Sequence, residues 1–224
     1  MHRGQFTTGG CFSLAAGPGG VWAAAFGEAD VAQPVRVALE RDVNAAVDQL
    51  ARADGFLGNP QAHPAARGVE QRGQTAEGPG QQKQVDELVT AMNRAAEAAV
   101  PQARKLLMST AKSISVDDAI KIVRGGESSV TAYFAGKTRA QLAGQVLPIV
   151  TQATKKLDLA SRYNAMAGKA AQFGLLKGDE VNVQRYVTAK SLDGLFLLIG
   201  EEERKIRRDR VGSSSAILKK VFGG

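Results

Sequence analysis

The chain has 224 residues, of which 44% are hydrophobic, 23% charged and only 5% aromatic. One cysteine and two histidines exclude a disulfide framework and argue against a zinc site or a Ser-His-Asp triad. The net charge of +7 admits an anionic partner, but the basic residues are scattered. Their one dense cluster, Arg204, Lys205, Arg207, Arg208 and Arg210, follows Glu201, Glu202 and Glu203 and has no interleaved aromatic residue. Glu before Lys/Arg suits a helix's own dipole, and a nucleic-acid partner is not expected.

Residues 1–27 carry Arg3 as their one formal charge. Phe12, Leu14, Val21, Trp22 and Phe26 follow among Ala and Gly, with small residues at Ala23, Ala24 and Ala25. This reads as an imperfect signal peptide, broken by Gly17-Pro18-Gly19-Gly20. The expectation is a periplasmic or otherwise exported protein; the alternative is a disordered tail on a cytoplasmic one. Cys11 precedes most of the apolar run, so it is not read as a lipid anchor. No apolar run reaches the ~18 residues of a membrane-spanning helix.

From Glu28 onward the apolar residues recur every three to four positions. Val35, Leu39, Val43, Ala46, Val47 and Leu50 predict a helix over 28–52, with Pro34 in its first turn and Asp54-Gly55 as its stop. Phe56 and Leu57 are expected to dock on the core from the turn that follows. Val85, Leu88, Val89, Met92, Ala95, Ala96 and Ala99 form a second stripe, which Pro101 should kink or restart. Ser115 with Asp118 resembles a capping box for a short helix ended by Gly125-Gly126. Thr138 with Gln141 predicts another helix start, leading into a helix bent at Pro148. Tyr163 to Phe173 and Ser213 to Phe222 carry further helical stripes. Leu195 to Ile199, within 183–208, is apolar all round and should be central and buried. No segment alternates like a strand. The expected fold is all-α, a compact multi-helix bundle with no significant sheet, in one domain over 28–224.

Residues 61–83 (QAHPAARGVEQRGQTAEGPGQQK) break the pattern, with Val69 their one large aliphatic residue. They read as a disordered, insert-like segment.

Several stretches together resemble a bacterial family of uncharacterised proteins, domain-of-unknown-function family 4197. They are Asp54 to Pro60 (DGFLGNP), Met92 to Val100 (MNRAAEAAV), Tyr133-Phe134, Leu147 to Val150, Tyr163-Asn164, Tyr186 to Thr188, Leu192 to Phe196 (LDGLF), Glu201 to Glu203 and Val221 to Gly223. The resemblance implies an exported helical envelope protein and no established activity. The family continues GFLGNP with a basic-Ile-Pro-Leu-Pro-Gly segment. With GC-rich codons, a one-base shift turns Ala62 to Arg67 into such a segment, so two compensating frameshifts near 60 and 83 are a reading of this stretch.

The candidate ligand-binding residues are Asn93, Arg94, Glu97, Tyr163, Asn164, Asp193 and Glu202. Arg94 or Asn93 can meet Glu97 on one helix face. Together these groups could line a polar pocket with Glu97 or Asp193 as an acid/base carboxylate. The plainer reading is surface ion pairs and buried polar groups that set helix register. No metal site or cofactor is expected: Glu-x-x-His, GxxxxGK[ST] and GxSxG are absent from the sequence. Two function classes remain. One is a non-enzymatic exported protein that binds an envelope partner or a small apolar ligand. The other is an enzyme built around Glu97 and Asp193.

Overall fold

The computed structural model describes residues 28–63, 79–155, 161 and 182–208. The described residues form six α-helices and one 3₁₀ turn, with no strand among them. The helices are α1 (Glu28–Leu50), α2 (Pro79–Ala99), α3 (Ala103–Lys112), α4 (Val116–Arg124), α5 (Ser129–Lys155) and α6 (Val183–Arg208), with the 3₁₀ turn Val100–Gln102 between α2 and α3. The expectation of an all-helical bundle holds. The expected helices over 163–173 and 213–222, and the N-terminal segment 1–27, lie outside the described residues.

α6 is the axis of the bundle. Leu192, Leu195, Phe196, Leu198 and Ile199 are all buried and Leu197 is partly so. A helix apolar on every side needs neighbours on every side. α5 packs on it most extensively, and α1 and α2 cover it further. α1 buries Val35, Leu39, Val43, Ala46, Val47 and Leu50 completely, the face its spacing predicts. α2 presents Ala95, Ala96 and Ala99 to the core.

α5 buries Val130, Phe134, Thr138, Leu142, Val146, Val150 and Thr154, a ridge with a repeat of four. Such a ridge is inclined to the helix axis, by about 26°. It therefore meets α6, α2, α3 and α4 in turn. The two threonines in it satisfy their hydroxyls locally: Thr138 Oγ1 donates to the Phe134 carbonyl (2.7 Å) and Thr154 Oγ1 to Val150 (2.8 Å).

Local signals hold at several joints. Pro101 replaces a helical turn by the 3₁₀ turn before α3 restarts. Ser115 Oγ accepts from the Asp118 N–H (3.1 Å) at the start of α4, and Gly125 ends it. Two expectations are corrected. Thr138 does not begin a helix, because α5 already starts at Ser129 and Thr138 lies on its buried ridge. Pro34 is not in the first turn of α1 but in its second, leaving the Asp30 carbonyl without its helical donor. α5 also runs on through Pro148, which is exposed, as is Gly144, whose carbonyl lacks a donor.

Both ends of the atypical 61–83 stretch carry structure. Residues 61–63 continue a turn and α2 already begins at Pro79. Ala62 is buried, since Asn59 Oδ1 accepts from the Gln61 and Ala62 N–H groups (3.0 and 3.3 Å) and curls the chain back onto α6.

Gly194 of α6 is the seat for that turn. A Cβ there would lie 2.8 Å from the Phe56 ring and 2.9 Å from the Ala62 carbonyl oxygen. Gly136 of α5 has open space around it. Gly194→Ala should therefore destabilise by ~1–3 kcal/mol through overpacking. Gly136→Ala should stabilise by ~0.5–1 kcal/mol through helix propensity. Urea denaturation of the two variants checks the opposite signs.

Candidate functional site

The end of α1 is shaped by the DGFLGNP turn. Asp54 is the one non-glycine residue with positive φ (62°) among the described residues. A Cβ on Gly55 would sit 2.5 Å from the Gln49 carbonyl oxygen, so only glycine lets the chain pass so close to the end of α1. The turn then drives Phe56, fully buried, under α6. Leu57 is only half-buried.

α2 receives this turn with three adjacent polar groups. Glu97 is 7% exposed and accepts from the Phe56 N–H through Oε1 (3.4 Å) and from Arg94 Nη1 through Oε2 (2.6 Å). Arg94 reaches out with Nη2 to Asp54 Oδ1 (2.6 Å). The guanidinium thus bridges a buried carboxylate and an exposed one, and its hydrogen bonds to Glu97 and then Asp54 raise its pKa above the ordinary value. Asn93 is fully buried; its Nδ2 donates to the Val89 carbonyl (2.8 Å) and lies 3.5 Å from His63 Nε2. Its Oδ1 has no hydrogen-bond partner among the described residues.

The remaining candidates sit apart from this group. Asp193 is held by Arg139 Nη2 (2.6 Å) and Lys190 Nζ (3.3 Å), and the Arg139 guanidinium lies 5.2 Å from the centre of the Phe196 ring. Its partners have no member in common with the Arg94 group. Glu202 pairs with Lys205 (2.5 Å), about 13 Å further along α6. Tyr163 and Asn164 lie outside the described residues. Arg94, Glu97 and Asn93 therefore share one corner, while Asp193 and Glu202 each have their own cation.

The most buried carboxylate is one that sequence reasoning passed over. Glu203 is 2% exposed and stands at the start of α5. It accepts from the Val130 and Thr131 N–H groups (3.1 and 3.3 Å), from Ser129 Oγ (3.2 Å) and from Arg207 Nη2 (3.0 Å). Arg207 also donates to the Ile122 carbonyl at the end of α4 (2.9 Å) and to Ser129 Oγ (2.7 Å). A carboxylate against free N–H groups at a helix start is favourable on both hydrogen-bond and dipole grounds. The i,i+4 spacing of Glu203 and Arg207 was the available signal; nothing in the run Glu201-Glu202-Glu203 says which of the three turns inward. In the sequence Asp54 marks a helix stop, and Asp42 interrupts the apolar stripe of α1.

Both corners are carboxylates saturated by the protein itself. They fix how one helix follows another. No group of three or more His, Cys, Asp or Glu able to hold a metal ion occurs among the described residues.

These features define a class of helical protein closed by buried Arg–carboxylate corners. The model of the family described as "Protein of unknown function (DUF4197)" matches residues 25–223, and the chain belongs to that family. No curated protein and no solved structure matches the chain.

Glu97→Ala would strand the buried Phe56 N–H and free Arg94. It should cost ~2–4 kcal/mol. Asp54→Asn keeps the left-handed turn and loses only an exposed pair, so it should cost less than ~1 kcal/mol. Glu203→Gln breaks a buried ion pair at a helix start and should cost ~3–5 kcal/mol. Chemical denaturation of the three variants gives the ranking.

Proposed function

We propose that this is a non-catalytic, exported helical protein that binds a partner protein of the cell envelope or a small apolar molecule between its helices. The observation that carries this reading is the state of the candidate acid/base carboxylates. Glu97, Asp193 and Glu202 each face a cation of the chain itself, and Glu97 also takes a backbone N–H. A general acid or base has to face its substrate within hydrogen-bond reach. These groups face Arg94, Arg139 and Lys205.

Export is supported by the basic start at Arg3, the apolar stretch and the small residues Ala23 to Ala25. No described helix is long and apolar enough to cross a membrane. The enzymatic reading draws its support from the one corner where Arg94, Glu97 and Asn93 do gather.

Native mass spectrometry of the protein purified from its own cell envelope tests the proposal. The expected result is a co-purifying subunit, lipid or other apolar molecule that survives gentle ionisation and is lost on denaturation, on a chain shortened at its N-terminus. A bare, full-length chain recovered from the cytoplasm would overturn it.

A further inference from the structure

A third buried carboxyl lies on the seam between α1 and α6. Asp42 projects from the core face of α1, in the stripe that holds Leu39 and Val43, and is 3% exposed. Glu97 and Glu203 are each matched by an arginine, and accept from one and two backbone N–H groups respectively. The Asp42 side chain makes no hydrogen bond or ion pair among the described residues.

The charges that act on it are unfavourable. Glu202 and Glu203 face it from α6, and Arg41 of its own helix is the one opposing cation. Several cations of the packed helices are engaged elsewhere. Arg207 is on Glu203 and Lys205 on Glu202. On α3, Arg104 is bonded to Asn44 and Asp48 of α1. On α4, Lys121 lies against Asp118. Arg36 of α1 donates to the Ile114 carbonyl. An ionised carboxylate cannot be buried in such a place without heavy cost, so the docked helix holds Asp42 as the neutral acid. Burial, then Glu202 and Glu203, push its pKa up from 3.8 to about 8.

We propose that the seam between α1 and α6 is a proton-dependent joint: α1 is docked most tightly while the Asp42 carboxyl is neutral, and its docking loosens, so that it opens more often, when Asp42 ionises beside Glu202 and Glu203. Release uncovers the stripe Val35, Leu39, Val43 and Val47, the largest apolar face that α1 owns. The sign follows from linkage. The docked state binds the proton more tightly than the released one, so docking is strongest at low pH as far as this group is concerned. It weakens as pH rises through the interval from 3.8 to about 8 and levels off above it. One proton changes the docking equilibrium by up to about tenfold per pH unit in that interval.

Hydrogen exchange of the full chain, corrected for the intrinsic pH dependence of amide exchange, tests the joint. Protection of the α1 amides over residues 39–50 should fall by up to about a hundredfold between pH 6 and pH 8 and then level off. Asp42→Asn, and Asp42→Leu as an apolar counterpart, should make that protection independent of pH. Glu202→Gln removes one like charge, so the levelling should come at lower pH with a smaller total fall. The proposal is overturned if wild-type α1 protection is flat, if the neutral Asp42 variants keep the wild-type slope, or if all helices lose protection equally.

Discussion

A helix that is greasy on every side can exist in water only inside other helices. α6 imposes that constraint on the whole molecule. Leu195, Phe196, Leu198 and Ile199 are at most 4% exposed and Leu197 between them is partly buried, and five successive residues go right round a helix. α5, α1 and α2 are arranged so that each gives α6 its own apolar stripe. Burying one such aliphatic side chain is worth ~1.5–3 kcal/mol. The two carboxylates matched by arginine serve that burial, because Glu97 and Glu203 each hold a chain reversal against the packed helices.

The same device serves two of those reversals. At one, Glu97 takes the Phe56 N–H and is held by Arg94, one turn away on its own helix. At the other, Glu203 takes two N–H groups at the start of α5 and is held by Arg207, again one turn away. In each case a carboxylate on one helix satisfies backbone donors of another segment. An arginine from the same helix carries the compensating charge. Breaking either costs more than making it gained, since the stranded partner stays buried. Asp42 has the burial without the arginine, which sets it apart from both corners.

Most of the helices were legible from spacing, and the reason is simple geometry. The stripe from Val35 to Leu50 and the all-apolar run from Leu195 to Ile199 report which faces avoid water, and no tertiary partner is needed to read them. Ser115 and Pro101 were legible because their effect is local: a hydroxyl accepts from an N–H three residues on, and a ring removes a donor. The start of α5 differs from the expectation at Thr138. Glu203, seventy-odd residues away, takes its first N–H groups, although Ser128 and Ser129 after Gly125-Gly126 are a local start signal as well. Pro34 lies in the second turn because α1 begins about two turns before Val35, the first residue of its apolar stripe.

The candidate site divides along the same line. Arg94 and Glu97 are three apart on a helix, and their meeting needs nothing beyond helical geometry. That Asp54 would join them, that Asp193 would go to Arg139 and Glu202 to Lys205, depends on which helices lie side by side. Composition and periodicity alone determined an all-helical chain with α6 at its centre, because the hydrophobic effect acts on patterns of residues regardless of their partners. Only the tertiary structure decided which carboxylates became buried and which cation each received. Charge pairing is short-ranged and directional, and the distances that govern it exist only once the helices have packed.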